Sequence, residues 1–178
     1  PNDDRKEWNY MTEWKIKSGE IIPYTESADK LPAISKYYDY DEGAPGKSAQ
    51  SNGITCIYRY AEVLLMYAEA STRATNTVNQ DALNAIQEVQ KRAGYQDRQI
   101  ELTTTTEPTA FLTAVSNERG WEFFAEMKRW FELVRLEKVK EVRAEEWDAS
   151  TFNTNHHYYF PVPYQQVDLA GWTNNAGY

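Results

Sequence analysis

Cysteine is nearly absent from this 178-residue chain: Cys56 is the only one, so no internal disulfide framework and no Cys-x-x-Cys metal motif can form. Basic residues are in deficit. Nineteen Lys and Arg stand against twenty-seven Asp and Glu, a net charge of −8, and no basic cluster offsets it. That balance argues against a nucleic-acid binder, which is normally basic. No apolar run reaches eighteen residues, so no membrane-spanning helix is encoded. No signal-peptide pattern is expected within residues 1–178. No glycine-rich phosphate loop and no Gly-x-Ser-x-Gly elbow occur. Cys56 has no nearby histidine to activate it. No cofactor is called for by any motif.

Aromatic rings are abundant: 14% of residues, with thirteen Tyr and six Trp. The length allows one sizeable domain that buries roughly 70% of its unfolded surface. Residues 1–53 are rich in Pro, Gly and polar groups, with weak periodicity. Lys15–Ile22 and Ala33–Tyr40 read as short strands. This stretch carries Trp8, Tyr10, Trp14, Tyr24, Tyr37, Tyr38 and Tyr40. Either these rings pack on a body formed elsewhere, or they make a surface platform for a ligand.

Helical signals begin at Ile57. Over Ile57–Thr72, one apolar face holds Ile57, Ala61, Leu64 and Ala68, and a second holds Tyr60, Val63, Tyr67 and Ala70. A helix apolar on two sides is sandwiched between neighbours. Thr75-Asn76 supplies turn chemistry to end it. Asn79–Ala93 is the next helix, capped by Thr77 or Asn79 and closed by Gly94. Together they predict an antiparallel hairpin of about one tetratricopeptide unit. No second copy of the unit is visible in the chain.

A further helix is expected from a Thr106 cap, with Glu107 and Pro108 in its first turn, through Arg135. Gly120 marks a bend or a close neighbour, and a break near Glu126–Lys128 would make two helices of it. Leu112, Val115, Arg119, Glu122, Glu126, Arg129 and Leu133 share one face. Phe123, Met127, Trp130 and Val134 form its neighbour. The spacing pairs Arg119 with Glu122 and Glu126 with Arg129. This quartet reads either as a structural ion network or as an acid/base site. Hydrolase carboxylates usually face each other across a sugar from separate elements. Two glutamates one turn apart, matched by arginines, fit the network better.

In the tail, Tyr158-Tyr159-Phe160 is a β-type run, and Pro161 and Pro163 force extended geometry. One helical turn is expected over Gln165–Leu169, and the tail is expected to pack on the helices. His156 and His157 in an extended segment point to opposite faces, which argues against a shared metal. Asp39-x-Asp41-x-Gly43 is only a fragment of a calcium-loop pattern.

Five motifs in order carry a resemblance. They are Arg59-Tyr60-Ala61-Glu62-Val63-Leu64-Leu65-Met66-Tyr67-Ala68-Glu69-Ala70; Ala82-Leu83-Asn84 with Lys91-Arg92-Ala93-Gly94; Glu118-Arg119 with Glu122, Glu126 and Arg129-Trp130-Phe131-Glu132-Leu133-Val134-Arg135; Tyr159-Phe160-Pro161-Val162-Pro163; and Asn174-Asn175-Ala176-Gly177-Tyr178. The chain thus resembles the C-terminal part of the SusD/RagB family, the surface glycan-binding lipoproteins of Bacteroidetes-type bacteria. Ala176 and Gln87–Gln90 depart from the family pattern without touching its fold.

The resemblance implies a mainly α fold: an α-α superhelix of tetratricopeptide-like hairpins, with long irregular loops and an extended tail. It implies a non-catalytic protein that captures oligosaccharide or another nutrient and delivers it to a TonB-dependent transporter. It also implies an outer-membrane location, with a lipid anchor on an N-terminal cysteine that this chain does not contain. On this expectation residues 1–178 form one C-terminal region of a longer protein, packed against the N-terminal remainder, with 1–56 loop-rich and 57–178 the scaffold and tail. Ligand-contacting residues are expected among Trp8, Tyr10, Trp14, Tyr37 and Tyr40, with Arg119, Glu122, Glu126 and Arg129 as a structural network and no metal site. Two alternatives remain: an all-α glycoside hydrolase using Glu122 and Glu126, and a tetratricopeptide-like protein-interaction module.

Overall fold

A computed structural model describes residues 3–16, 18–37, 56–96, 100–142 and 154–178. It is mainly α and divides into two compact units, Pro1–Lys128 and Arg129–Tyr178.

The first unit is built on a three-helix core. Helix α2 (Tyr60–Thr75) and helix α3 (Gln80–Arg92) form the expected hairpin, and α4 (Pro108–Glu122) packs against both. Local chemistry closes the hairpin. Asn76 takes the left-handed conformation at the C-cap of α2, with φ of 51°. The Asn79 side chain accepts from the Ala82 N–H at 2.8 Å, capping α3. Leu65 and Ala68 from α2, Ala82, Leu83, Ile86 and Val89 from α3, and Phe111 and Val115 from α4 form the buried cluster. Of the two apolar faces expected for α2, only one is covered in this unit. Tyr60, Val63, Met66 and Tyr67 remain exposed.

Before the helices, α1 (Arg5–Asn9) leads into β1 (Tyr10–Met11). The strand expected over Lys15–Ile22 is instead a hairpin. β2 (Glu13–Lys15) pairs antiparallel with β3 (Ile21–Pro23), turning through Gly19 at φ +91°. A short 3₁₀ turn over Tyr24–Glu26 follows. The second expected strand is reduced to β4 (Ala33–Ile34), paired with β1; residues 38–40 lie outside the described residues, as does the Asp39–Gly43 fragment.

The long helix expected from Thr106 to Arg135 is two. Its first part is capped by Glu107, not Thr106: the Glu107 carboxylate accepts from the Thr109 N–H at 3.0 Å and the Ala110 N–H at 2.5 Å. Helix α4 ends at Glu122, and α5 begins at Arg129 (Arg129–Arg135). In between, Ala125 and Met127 hold positive φ, 61° and 58°. Such values are uncommon for residues with a Cβ and persist only where surrounding contacts fix them. Those contacts are described below.

The second unit holds α5, α6 (Val139–Val142), α7 (Thr154–His157) and α8 (Tyr164–Ala170). Leu133 and Val139 are its buried centre, with Trp130, Val134 and Tyr158 packed around them. The tail folds back on itself. Asn174 Oδ1 accepts from the Val162 N–H at 2.8 Å, Asn175 Nδ2 donates to the Phe160 carbonyl at 2.6 Å, and the Tyr178 hydroxyl donates to the Tyr159 carbonyl at 3.1 Å. Tyr158 gives the tail its expected packing on α5 and α6, while the Tyr159, Phe160, Tyr164 and Trp172 rings stay exposed. His156 and His157 lie on a helical turn with their rings stacked at 4.6 Å, so the expected opposite-face geometry does not hold.

Candidate functional site

Two features of the first unit are relevant to function: a charge cluster at the end of α4 and a pocket beside it. Helix α4 turns Glu118 and Glu122 inward. Their side chains are fully buried, and Glu126 is 6% exposed just beyond the helix. Buried carboxylates cost several kcal/mol each unless paired. The partners come from four separate segments.

Arg5, at the start of α1, donates to Glu118 Oε1 at 2.6 Å and Glu122 Oε2 at 3.0 Å, and is held from behind by Asp3. Arg59, just before α2, donates through Nη1 to the Glu122 carboxylate and through Nε and Nη2 to Glu126. Arg92 at the end of α3 also pairs with Glu122. Lys36 donates to Glu126 Oε1 at 2.5 Å. Asp3, Glu118, Glu122 and Glu126 are thus matched by Arg5, Lys36, Arg59 and Arg92, and the charges cancel. Tyr95 and Gln90 add hydrogen bonds to Glu118 Oε2, at 3.2 and 3.3 Å.

The same cations explain why α4 stops. The last carbonyls of a helix lack intrahelical donors. Arg59 Nη2 donates to the Glu122 carbonyl at 2.6 Å, and Lys36 Nζ donates to the Glu122 and Phe124 carbonyls at 2.9 and 3.2 Å. Continuing the helix would bury those acceptors against the next turn. The positive-φ residues therefore sit where three distant-segment hydrogen bonds dictate the path.

The ion network expected around Glu122 and Glu126 draws cations from well beyond one helix face. Glu122 and Glu126 are matched by Arg5, Arg59, Arg92 and Lys36, which arrive from other segments. Arg119 lies 3.7 Å from Glu62, which Lys128 also pairs. Arg129 belongs to the second unit, where its Nη1 lies 3.2 Å from Glu132. The helix break separates Arg129 from the face of α4, and cations from other segments reach the glutamates.

The protonation pattern follows from this geometry. Burial pushes the Glu118 carboxyl up, and Arg5 only partly opposes it. Burial also works to raise Glu126, but hydrogen bonds from Arg59 and Lys36 outweigh it and leave the carboxyl below its ordinary value. A general acid needs the reverse, a raised carboxyl within reach of substrate. Among the described residues no group of three or more His, Cys, Asp or Glu is placed to hold a metal ion.

The pocket, of about 560 Å³, opens beside this cluster. Tyr10, Trp121 and Phe124 supply rings; Asn9, Asn117, Gln90 and Thr103 supply neutral polar groups. Tyr10 and Phe124 lie 4.6 Å apart, tilted by 43°. Gln90 is tied to Thr103 by reciprocal hydrogen bonds of 2.8 and 2.9 Å, fixing the loop before α4.

The rings singled out from the sequence do not share one place. Tyr10 lines the pocket. Trp8 is 67% exposed on α1, outside the pocket lining, and Trp14 stands opposite Ile22 in the hairpin. The Tyr37 hydroxyl donates to the Ala125 carbonyl at 3.4 Å, beside the charge cluster, and burial with nearby Glu126 raises its pKa. Tyr40 lies outside the described residues. Sequence reasoning did not single out Trp121, Phe124, Asn9 or Asn117 for ligand contact. A signal existed: Ala114, Asn117, Trp121 and Phe124 recur at spacings of three, four and three, a second stripe beside the buried face.

A helical hairpin packed on a third helix, with loops and a folded-back tail, defines a tetratricopeptide-like α class. The family comparison is specific: the SusD family profile matches residues 3–178, and the chain belongs to that family. SusD-like protein P2 of Formosa agariphila is 28% identical over 191 residues, covering 99% of this chain and 37% of that protein. Among solved structures, a SusD superfamily protein from Parabacteroides distasonis is similar with a TM-score of 0.75 and 27% identity, over 99% of this chain and 39% of that one. A SusD homolog from Bacteroides thetaiotaomicron has a TM-score of 0.78 at 23% identity, over 99% and 41%, and is similar in fold. The chain spans about two-fifths of the length of these relatives.

Proposed function

We propose that this chain is part of a non-catalytic binding protein that captures oligosaccharide at the cell surface and passes it to a TonB-dependent transporter. Family membership over residues 3–178 is the observation that carries this reading. The charge cluster supports it. Glu122 and Glu126 are the obvious acid/base candidates, yet each is held by two or more cations and neither opens the pocket lining. The hydrolase alternative needs one carboxyl free to donate a proton. The interaction-module alternative predicts a peptide ligand and no sugar affinity.

The location that goes with this function is the outer membrane, with attachment through a lipidated N-terminal cysteine outside this chain. Among the described residues no helix is long and apolar enough to cross a membrane. The test is a glycan array run beside a peptide library, followed by co-purification with the transporter from the native membrane. Glycan binding with transporter recovery is expected. Peptide binding without any glycan signal would overturn the proposal.

A further inference from the structure

The pocket beside α4 carries a more specific chemistry than the family does. Its volume of about 560 Å³ falls within the range of small-ligand sites, roughly 300–1,000 Å³. The rings of Tyr10, Trp121 and Phe124 give it an apolar wall, and Trp121 and Tyr10 are 49% and 38% exposed, so their surfaces are open to contact. Such rings offer large apolar faces that need an apolar partner surface.

Of the neutral polar groups in the lining, Gln90 and Thr103 are tied to each other, while the amides of Asn9 and Asn117 are not. Asn9 is only 7% exposed, yet its side-chain amide makes no hydrogen bond among the described residues. An amide at a pocket wall with no protein partner can exchange its water for a ligand hydroxyl. Asn117, one helical turn before Trp121, is likewise without a side-chain partner among the described residues. Amides both donate and accept, which suits hydroxyl groups that do the same.

The charges at the pocket are already committed or balanced. Arg5 is saturated by Asp3, Glu118 and Glu122. Lys6 and Glu101 are one charge of each sign in the lining. No arginine fork is free to hold a carboxylate or sulfate in the two-point manner those groups favour.

We infer that this pocket is a subsite for a single uncharged pyranose ring. Its C–H face lies against the aromatic wall, its hydroxyls go to Asn9 and Asn117, and rings bearing carboxylate are excluded. This rests on the glycan-binding function proposed above and adds where one sugar sits and which sugars it selects.

The test is saturation-transfer NMR on this chain with the methyl glycosides of glucose, galactose and mannose, and with the matching methyl uronosides. At least one neutral glycoside is expected to bind, in the millimolar range, and its uronate at least about tenfold more weakly. Trp121→Ala should weaken the neutral ligand about tenfold or more, and Asn117→Ala several-fold, with unchanged circular dichroism and thermal midpoint because both side chains are exposed. Equal binding of uronates, or affinity unchanged in both folded variants, overturns the subsite. Array glycans still bound by the folded variants at wild-type strength would leave the glycan-binding function standing and the subsite wrong. A chain that binds no glycan at all removes both.

Discussion

Arg59 grips Glu122 twice, with Nη1 on its carboxylate and Nη2 on its main-chain carbonyl at 2.6 Å. One side chain therefore neutralises a buried charge and terminates a helix. It also reaches Glu126 and lies over the Phe123 ring at 4.7 Å. A lysine has one ammonium and cannot fill a planar fork of this kind. Arg59→Lys is expected to destabilise the chain by about 2–4 kcal/mol, because it leaves buried acceptors unpaired. Urea unfolding measures it; a change below about 0.5 kcal/mol would show that the grip is dispensable.

The Glu126 carboxyl lies below its ordinary value in the folded chain, so its ionised form favours folding. That contribution is complete above the unfolded carboxylate value of about 4.3 and is lost as pH falls through the lower folded value. Glu126→Gln should be less stable than wild type at pH 7, with the gap closing below about pH 4. Glu118 has the opposite sign, since its carboxyl is raised. Its ionisation opposes folding as pH rises above the unfolded value, so acid relieves this group while it weakens Glu126. Stability curves from pH 3 to pH 7 separate the two; a constant Glu126→Gln gap across that range would contradict the assignment.

Gly94 follows α3 at φ +78°, and a Cβ there would collide with the Asp4 carboxylate. Left-handed backbone is costly for a residue with a Cβ, and the near contact adds displacement of the N-terminal segment. Gly94→Ala should cost about 1–3 kcal/mol and loosen the Asp3–Arg5 contact with Glu118, seen as faster amide exchange in α1. Unchanged exchange would show that Asp4 yields freely.

Thr72 is fully buried in α2, and its hydroxyl has no hydrogen-bond partner among the described residues. Thr72→Val keeps the shape and removes the unpaired group. A gain of about 1 kcal/mol is expected in thermal or urea unfolding. A loss of similar size would show that the hydroxyl is satisfied by solvent.

The outward face of α2 presents Tyr60, Val63, Met66 and Tyr67. A contiguous apolar face of this kind needs a covering surface. This chain by itself is expected to bind a hydrophobic dye, and Val63→Glu with Met66→Glu should suppress that signal at little cost to stability. Absence of dye binding in the unmodified chain would argue that the face needs no cover.

The helical hairpin was legible in the sequence because its determinants are local. The 3.6-residue period, the Asn79 cap, the Asn76 stop and Gly94 all lie within or beside the elements they shape. The break after Glu122 was legible only as a possibility, because its cause lies in Lys36 and Arg59, 86 and 63 residues away. The partners of Glu122 and Glu126 were hidden for the same reason: spacing ranks neighbours on one helix and is blind to cations arriving from other segments. Helix α1 escaped notice because five residues hold little more than one turn, and Arg5 anchors it through contacts far along the chain. The pocket stripe on α4 was obscured by the richer apolar and charged pattern of its buried face.

The most direct measurement is calorimetric titration of this chain with the glycan it binds best on an array, with released reducing ends assayed in the same cell. Saturable heat with no reducing ends, and the same absence of release in Glu122→Gln and Glu126→Gln, is the expected result for a binding protein whose buried glutamates hold its scaffold together. Reducing ends that accumulate with time and vanish in Glu126→Gln would contradict it.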